Sequence, residues 1–152
     1  MKIDAPGITV DLPPGWEAEV DGGSGAADPG APRLRTPRTH IANFPLPPDR
    51  GDYGSFAVEQ MRRGHALICL LEEASPASGS RLHSHDGVPR LSVADFSADA
   101  MQRPRAGQAG AQVFFHVGRR AFVLYAVIGE RLERSPQVEE INRVLAGVTI
   151  HP

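Results

Sequence analysis

Cysteine, lysine and aromatic residues are scarce in this chain, and each shortage excludes a class of protein. The single cysteine, Cys69, excludes an intramolecular disulfide. It lies in the apolar run ALICLL, so we interpret it as a small buried hydrophobic residue, since a reactive thiol needs an exposed, cationic setting. Lys2 is the only lysine, and a formal net charge of −2 gives no general attraction to nucleic acid.

The arginines are the remaining source of a basic surface. The candidates are Arg62, Arg63, Arg103, Arg105, Arg119 and Arg120. Aromatic residues, only 6% of the chain, are not interleaved with these arginines as they are where proteins stack on bases. We therefore interpret the arginines as solvated surface residues and expect no nucleic-acid partner.

The sequence also contains no long apolar segment. No uninterrupted apolar span approaches the roughly 20 residues that a transmembrane helix needs. The first residues, MKIDAPGITV, do not combine a basic stretch with an apolar core as a secretion signal does. We expect a soluble cytoplasmic protein without a membrane partner, folded as one domain over residues 1–152.

The strongest pattern is the stretch 112–129, QVFFHVGRRAFVLYAVIG, which predicts two β-strands joined at Gly118. Glycine at the first turn position suits a II′ turn. A two-residue loop then places Phe115 opposite Phe122. Because both faces of this hairpin are apolar, we expect a central pair of strands in a sheet that is covered on both sides.

Further elements are predicted on both sides of the hairpin. Alternation around a Pro-Pro-Gly turn predicts an N-terminal hairpin of strands 8–12 and 16–20. Ser135 followed by proline predicts a helix that ends at Gly147. The other predicted elements are strands at 39–44, 65–71, 88–96 and 148–150, a short helix at 56–63, and Gly-, Ser- and Pro-rich loops at 21–37 and 74–87.

The best candidates for metal ligands are His83, His85 and Asp86. Two imidazoles and a carboxylate are zinc ligand types, and alternate residues of an extended chain project to the same side. However, the segment is rich in serine and glycine, and His40 or His116 could complete the set only if the fold brings them together. We therefore favour a solvated loop without metal and expect no cofactor.

No pattern for catalysis is present. The serines in ASGS, at Ser78 and Ser80, have no G-x-S-x-G context. Glu72 and Glu73 are neighbours on a predicted strand and so point to opposite faces. There is no P-loop and no G-x-G-x-x-G motif. The sequence therefore favours a non-enzymatic protein without catalytic residues.

A pocket in the central hairpin is the alternative. His116 interrupts the apolar alternation, and we favour a hydrogen-bonded histidine at a strand end over a catalytic base. Pockets often form between a sheet and its helices. The alternative function is therefore a small-molecule-binding or enzymatic pocket lined by His116 and Tyr125.

The order of elements along the chain points to a family. The turn LPPGW that ends at Trp16, the aromatic hairpin and the closing helix from Ser135 resemble the PsbP-like superfamily, which includes a Ran-binding nuclear import factor and bacterial relatives. The resemblance implies an α+β fold, an α-β-α sandwich in which helices cover both faces of an antiparallel sheet. It also implies that members mostly act by binding proteins or assembling complexes. Because the core is complete and no catalytic apparatus is visible, we expect a non-enzymatic domain that binds a protein partner through its exposed loops and a sheet edge. Such an edge could also pair two copies into a homodimer.

Overall fold

The computed structural model of the protein describes residues 1–5, 7–21, 38–48, 51, 53–73 and 85–152. These ranges contain nine strands and two α-helices. The strands are β1 (Lys2–Ala5), β2 (Ile8–Asp11), β3 (Glu17–Asp21), β4 (Arg38–Ala42), β5 (Ala66–Glu73), β6 (His85–Asp86), β7 (Ala109–Val117), β8 (Arg120–Ile128) and β9 (Val148–Ile150). The helices are α1 (Ser55–Val58) and α2 (Ser135–Ala146), and a single 3₁₀ turn spans Val93–Asp95.

The strands form two sheets. The large sheet has the order β3-β4-β5-β8-β7-β6, and the small sheet has the order β1-β2-β9. Neighbouring strands are antiparallel except for β6 and β7, which are parallel. The loops predicted at 21–37 and 74–87 lie almost entirely outside the described residues.

The hairpin of β7 and β8 forms as the sequence predicts. Gly118 has a φ of 59°, and no described residue other than glycine has a positive φ, which fits a II′ turn at Gly118-Arg119. Phe115 lies opposite Phe122, and their buried rings stack with centroids 5.3 Å apart. β8 is central, between β5 and β7, whereas β7 is followed only by the two-residue β6. The predicted central position therefore holds for one strand of the pair.

Helices do not cover both faces of the large sheet, so the predicted α+β sandwich is wrong. Strands make up 40% of the structure and helices 16%, and α2 is the only helix of seven or more residues in the described part. One face packs against α2 and the small sheet, which contribute Ile141 and Val10 to a shared core. The other face is covered by α1 and by irregular segments that contribute Phe44 and Met101.

The helix predicted over 56–63 is reduced to one turn. Ala57, Val58 and Met61 are buried as predicted, but the N–H groups of Gln60 and Met61 donate to carbonyls three residues earlier, at 3.0 and 3.1 Å. These bonds tighten the chain and end the α-helix. A single turn is too short to cover a six-stranded sheet, so irregular segments complete this face.

The predicted N-terminal hairpin of residues 8–12 and 16–20 is also wrong, because its strands belong to different sheets. β2 pairs with β1 and β9, and β3 pairs with β4. Most of the side chains predicted to face inward, including Val10 and Trp16, belong to the core, whereas Val20 is only half-buried and lies outside it. The Pro-Pro-Gly turn therefore carries the chain from the small sheet to the large one. β1 is not among the predicted strands, since Ile3 is its only large apolar residue.

The predicted strand at 65–71, the helix after Ser135 and the strand at 148–150 are confirmed as β5, α2 and β9. Cys69 is fully buried in β5, as predicted. α2 has proline in its first turn and ends at Gly147. No helix in the described ranges has both the length and the apolar character for a membrane crossing.

Residues 88–96 form no strand, contrary to prediction. Of the three side chains expected to anchor this strand, Leu91 and Phe96 are buried, but Val93 is 41% exposed. Between them, Ser92 and Asp95 form a reciprocal capping box, in which the Ser92 N–H donates to the Asp95 carboxylate at 2.7 Å. This local hydrogen bonding competes with strand pairing and winds the segment into the 3₁₀ turn.

Arg120 joins the two sheets. Its guanidinium donates two hydrogen bonds to the Glu72 carboxylate, at 2.8 and 2.7 Å, and these bonds raise the pKa of Arg120. Its Nη1 also donates to the carbonyls of Gly7 and His151, both at 3.0 Å. Gly7 lies in the β1–β2 turn and His151 follows β9, so one side chain of the large sheet holds two segments of the small one.

His65 makes the stability of the protein depend on pH. It lies on the face of the large sheet that α1 and irregular segments cover, called the loop-covered face below. Its ring stacks on Phe44 with centroids 4.9 Å apart, and its Nδ1 accepts a hydrogen bond from the Arg62 N–H at 3.0 Å. Partial burial and the nearby charge of Arg62 lower the pKa of His65, so the neutral imidazole stabilises the folded state. This contribution is present above the unfolded pKa of about 6.5 and is lost as the pH falls through the lower folded value.

We expect the wild-type protein to lose more stability than a His65→Asn variant between about pH 7.5 and about pH 5. Asparagine can accept the Arg62 hydrogen bond but does not titrate in this range. Urea denaturation at both pH values, followed by the fluorescence of Trp16, measures the difference. Equal losses in the two proteins would show that His65 is not the titrating group.

Candidate functional site

β3 is the longest strand in the described part that ends a sheet, and no described strand pairs with its outer side. Its sequence, EAEVD, alternates acidic and apolar residues. Ala18 packs against the main core, whereas Glu17 and the exposed Glu19 lie on the opposite face of the strand. The edge therefore has one apolar and one acidic face.

The backbone groups on the open side of β3 belong to Ala18 and Val20. The hydrogen-bonding pattern of β4 shows this. Just after the end of β4, the N–H of Asn43 donates to the carbonyl of Ala66 in β5, at 3.4 Å. In an antiparallel sheet, alternate residues of a strand form hydrogen bonds to the neighbour on one side and then to the neighbour on the other. The odd-numbered residues of β4 therefore bond to β5, and its even-numbered residues bond to the odd-numbered residues of β3. The N–H and C=O groups of Ala18 and Val20 thus point away from the sheet, and no residue in the described ranges bonds to them.

A cleft of about 90 Å³ lies on the loop-covered face of the large sheet. One wall is α1 with the residue that follows it, and it contributes Ser55 and Glu59. The other wall is the segment 103–105. The buried Gln108 joins the two walls, because its Nε2 donates to the Val58 carbonyl at 3.1 Å.

The second wall depends on Gly110 in β7. A Cβ at this position would lie 2.9 Å from Met101 Cγ, so glycine allows the buried Met101 to pack directly on the sheet. The chain then continues above β8, where the Gln102 N–H donates to Tyr125 Oη at 2.9 Å. The segment 103–105 follows at once and closes the cleft.

Tyr125 lines the cleft from the sheet and is only 1% exposed. The ring of Tyr53 packs edge-on against it, with centroids 5.6 Å apart. Burial raises the pKa of Tyr125, although the Gln102 N–H opposes this shift. The hydroxyl therefore keeps its proton at neutral pH. That proton has no acceptor among the described residues, so it remains available to a ligand.

Tyr125 and His116 lie on the same face but do not line one pocket. Tyr125 is opposite Gln112 and His116 is opposite Ala121, so four residues of strand, about 13 Å, separate them. His116 Nε2 lies 3.5 Å from the Asp86 carboxylate, at the turn end of the hairpin. Of the predicted pair, only Tyr125 lines the cleft.

The candidate metal ligands are not assembled in the described part. His83 lies outside the described residues, while His85 and Asp86 form β6. Asp86 pairs with His116, and His40 is buried in β4, four strands away across the sheet. Within the described ranges, no group of three or more His, Cys, Asp or Glu side chains is arranged to hold a metal ion.

The arginines singled out in the sequence have different surroundings and form no common face. Arg120 is bound to Glu72 between the sheets. Arg63 makes exposed ion pairs with glutamates beyond β8, at 3.7 and 3.1 Å. Arg103 and Arg105 line the cleft.

No family model, no curated protein and no solved structure matches the chain. A function must therefore be proposed from the geometry of the structure. The resemblance to the PsbP-like superfamily therefore stays a prediction. The helices that it implies on both faces of the sheet do not occur in the described part. The open edge of β3 and the cleft beside Tyr125 are the two candidate sites.

Proposed function

We propose that the protein is a cytoplasmic, non-enzymatic binding module that takes up an extended segment of a protein partner at the open edge of β3. The outward N–H and C=O groups of Ala18 and Val20 support this proposal. An added strand would satisfy these groups and continue the large sheet, a recurring mode of peptide recognition. The half-buried side chains of the two residues would gain cover at the same time.

The partner segment is expected to be basic. Cross-strand pairs of opposite charge stabilise a sheet, and like charges opposite each other destabilise it. Glu17 and Glu19 lie on one face of β3, so basic residues on the added strand would face them. Two copies paired antiparallel through β3 would instead bring carboxylates together. A basic segment of another protein therefore suits this edge better than a homodimer.

Substitution of Val20 tests the proposal. Val20→Pro removes an N–H that β4 does not use, and edge strands tolerate proline at such positions. Val20→Thr keeps the N–H and the side-chain shape, so it is the matched control. We expect wild type and Val20→Thr to capture the same basic partner from a cytoplasmic extract of the native host, and Val20→Pro to capture at least about ten-fold less. Quantitative mass spectrometry of the captured proteins measures this.

Two outcomes would overturn this assignment. If Val20→Pro captures the same proteins in the same amounts, then β3 is not the contact surface. The second outcome is a homodimer that forms through β3. If light scattering after size exclusion shows a concentration-dependent dimer that Val20→Pro abolishes, the edge binds a second copy of the chain. Circular dichroism of both variants confirms that each is folded.

A further inference from the structure

The described lining of the cleft beside Tyr125 carries more positive than negative charge. Arg103 and Arg105 line it from the exposed segment that forms one wall. Neither guanidinium group has an ion pair or a hydrogen bond to another residue in the described ranges. Glu59 on the opposite wall is the one carboxylate among the described residues of the lining. Two guanidinium groups and one carboxylate leave a net charge that favours an anion.

The same cleft contains a buried hydrogen-bond donor. Tyr125 Oη already accepts the Gln102 N–H, so its own proton is oriented away from that bond. A donor that is desolvated before binding loses little hydration when it meets a charged acceptor, and such bonds are among the stronger ones in proteins. Ser55 adds a second hydroxyl on the α1 wall.

The size of the cleft limits what it can hold. Its volume of about 90 Å³ is several times the ~10–15 Å³ that a cavity needs to hold one water molecule. Pockets for whole drug-sized ligands measure about 300–1,000 Å³. The cleft therefore has room for one functional group, and the apolar lining from Val58 and Pro104 shields that group from water on one side.

We propose that this cleft binds the carboxylate or phosphate group of a small ligand. Arg103 and Arg105 provide the charge and the forked donors that suit either oxyanion. Tyr125 donates a hydrogen bond from the sheet, and the remainder of the ligand extends out of the cleft into solvent. The site lies above β8, three strands from β3, and is independent of partner binding at the edge.

Titration of the full chain with single-group probes tests the proposal. Sodium acetate supplies the carboxylate and inorganic phosphate supplies the phosphate, each added at constant ionic strength to ¹⁵N-labelled protein. We expect saturable shifts of the Gln102 amide and its neighbours, with a dissociation constant on the order of 1–10 mM for the better probe. The Arg119 amide, in the exposed hairpin turn, should not shift. The probe that binds more tightly identifies the oxyanion.

Four variants separate the contributions of individual side chains to acetate and phosphate binding. Arg103→Gln with Arg105→Gln should weaken binding at least ten-fold, and Arg119→Gln, the matched control, should leave it unchanged. Tyr125→Phe should weaken it about ten-fold through loss of one charge-assisted hydrogen bond. Glu59→Gln should strengthen it about two- to five-fold, because it removes the one negative charge. Glu59→Gln alters an exposed residue, so it keeps the test valid if Tyr125→Phe folds poorly.

The proposal is overturned by shifts that grow linearly with both probes and never saturate. It is equally overturned if Arg119→Gln and the double arginine variant weaken binding alike, because the effect would then be one of general charge. Loss of acetate and phosphate binding would leave partner capture at β3 unaffected, so the two proposals fail independently.

Discussion

Replacing Phe122 with alanine is expected to lower the free energy of unfolding by about 4 kcal/mol. The Phe122 ring is fully buried, stacks on Phe115, and lies 5.3 Å from the guanidinium carbon of Arg120. Its loss would leave a cavity between the sheets that the surrounding strands cannot close. Domains of this kind are stable by about 5–15 kcal/mol, so the variant would be close to unfolding. Urea denaturation followed by the fluorescence of Trp16, the single tryptophan, measures the change.

Two companion variants make this result interpretable. Phe122→Leu keeps most of the volume and should cost less than about 1.5 kcal/mol, so it remains measurable if the alanine variant does not fold. Phe56→Ala removes the same ring from a position that is 42% exposed, and should cost less than about 1 kcal/mol. Similar losses for Phe56→Ala and Phe122→Ala would contradict the central position of Phe122 in the core.

Replacing Arg120 with alanine is expected to cost about 3 kcal/mol. The change would remove the ion pair with the Glu72 carboxylate, which is only 15% exposed, and would remove a donor from the carbonyls of Gly7 and His151. The pair retains some exposure, so the value is at the low end for a buried ion pair. Arg120→Lys keeps the charge but not the forked donors, and should cost about 1.5 kcal/mol.

The loss of stability in the Arg120→Ala variant should differ between parts of the molecule. Hydrogen exchange is expected to accelerate most in β1, β2 and β9, because Arg120 joins these strands to the large sheet. Arg119→Ala, at the neighbouring exposed position, should change the stability by less than about 0.5 kcal/mol. A uniform acceleration in all strands of Arg120→Ala would show that the side chain stabilises the fold generally and does not join the sheets.

Local patterns predicted the elements whose conformation is decided nearby in the chain. A two-residue turn with Gly118 fixes the register of a hairpin, so the pairing of Phe115 with Phe122 followed from the sequence. Ser135-Pro136 and Gly147 likewise mark the two ends of α2. In each case the residues that form the sequence pattern lie within a few positions of the turn or helix end that they predict.

Pairing between distant segments could not be predicted in this way. Alternation shows which side chains of β2 and β3 face inward, but not which strand lies beside them. β2 pairs with β9 from the other end of the chain, and β3 pairs with β4. The apolar spacing of residues 57, 58 and 61 suits either a longer helix or a tightened turn, and hydrogen bonding selected the turn.

The candidate sites were predicted only in part. Tyr125 was identified from the hairpin, and Arg103 and Arg105 from their charge, but nothing in the sequence links them. They meet because Gly110 allows Met101 to pack on the sheet. Ser55 and Glu59 have no distinguishing pattern at all, since their role depends on where α1 lies above the sheet.

The pairing of β2 with β9 determines when the small sheet can form during synthesis. Ile8 lies opposite Ile150, so the small sheet cannot close until the residues of β9 have left the ribosome. Until then the strands from β3 to β8 can pair, but the face that β2 and β9 share with Phe122 stays open to water. Closing so long a loop is slow, and the nascent chain therefore exposes an apolar surface that attracts chaperones until β9 has emerged and paired.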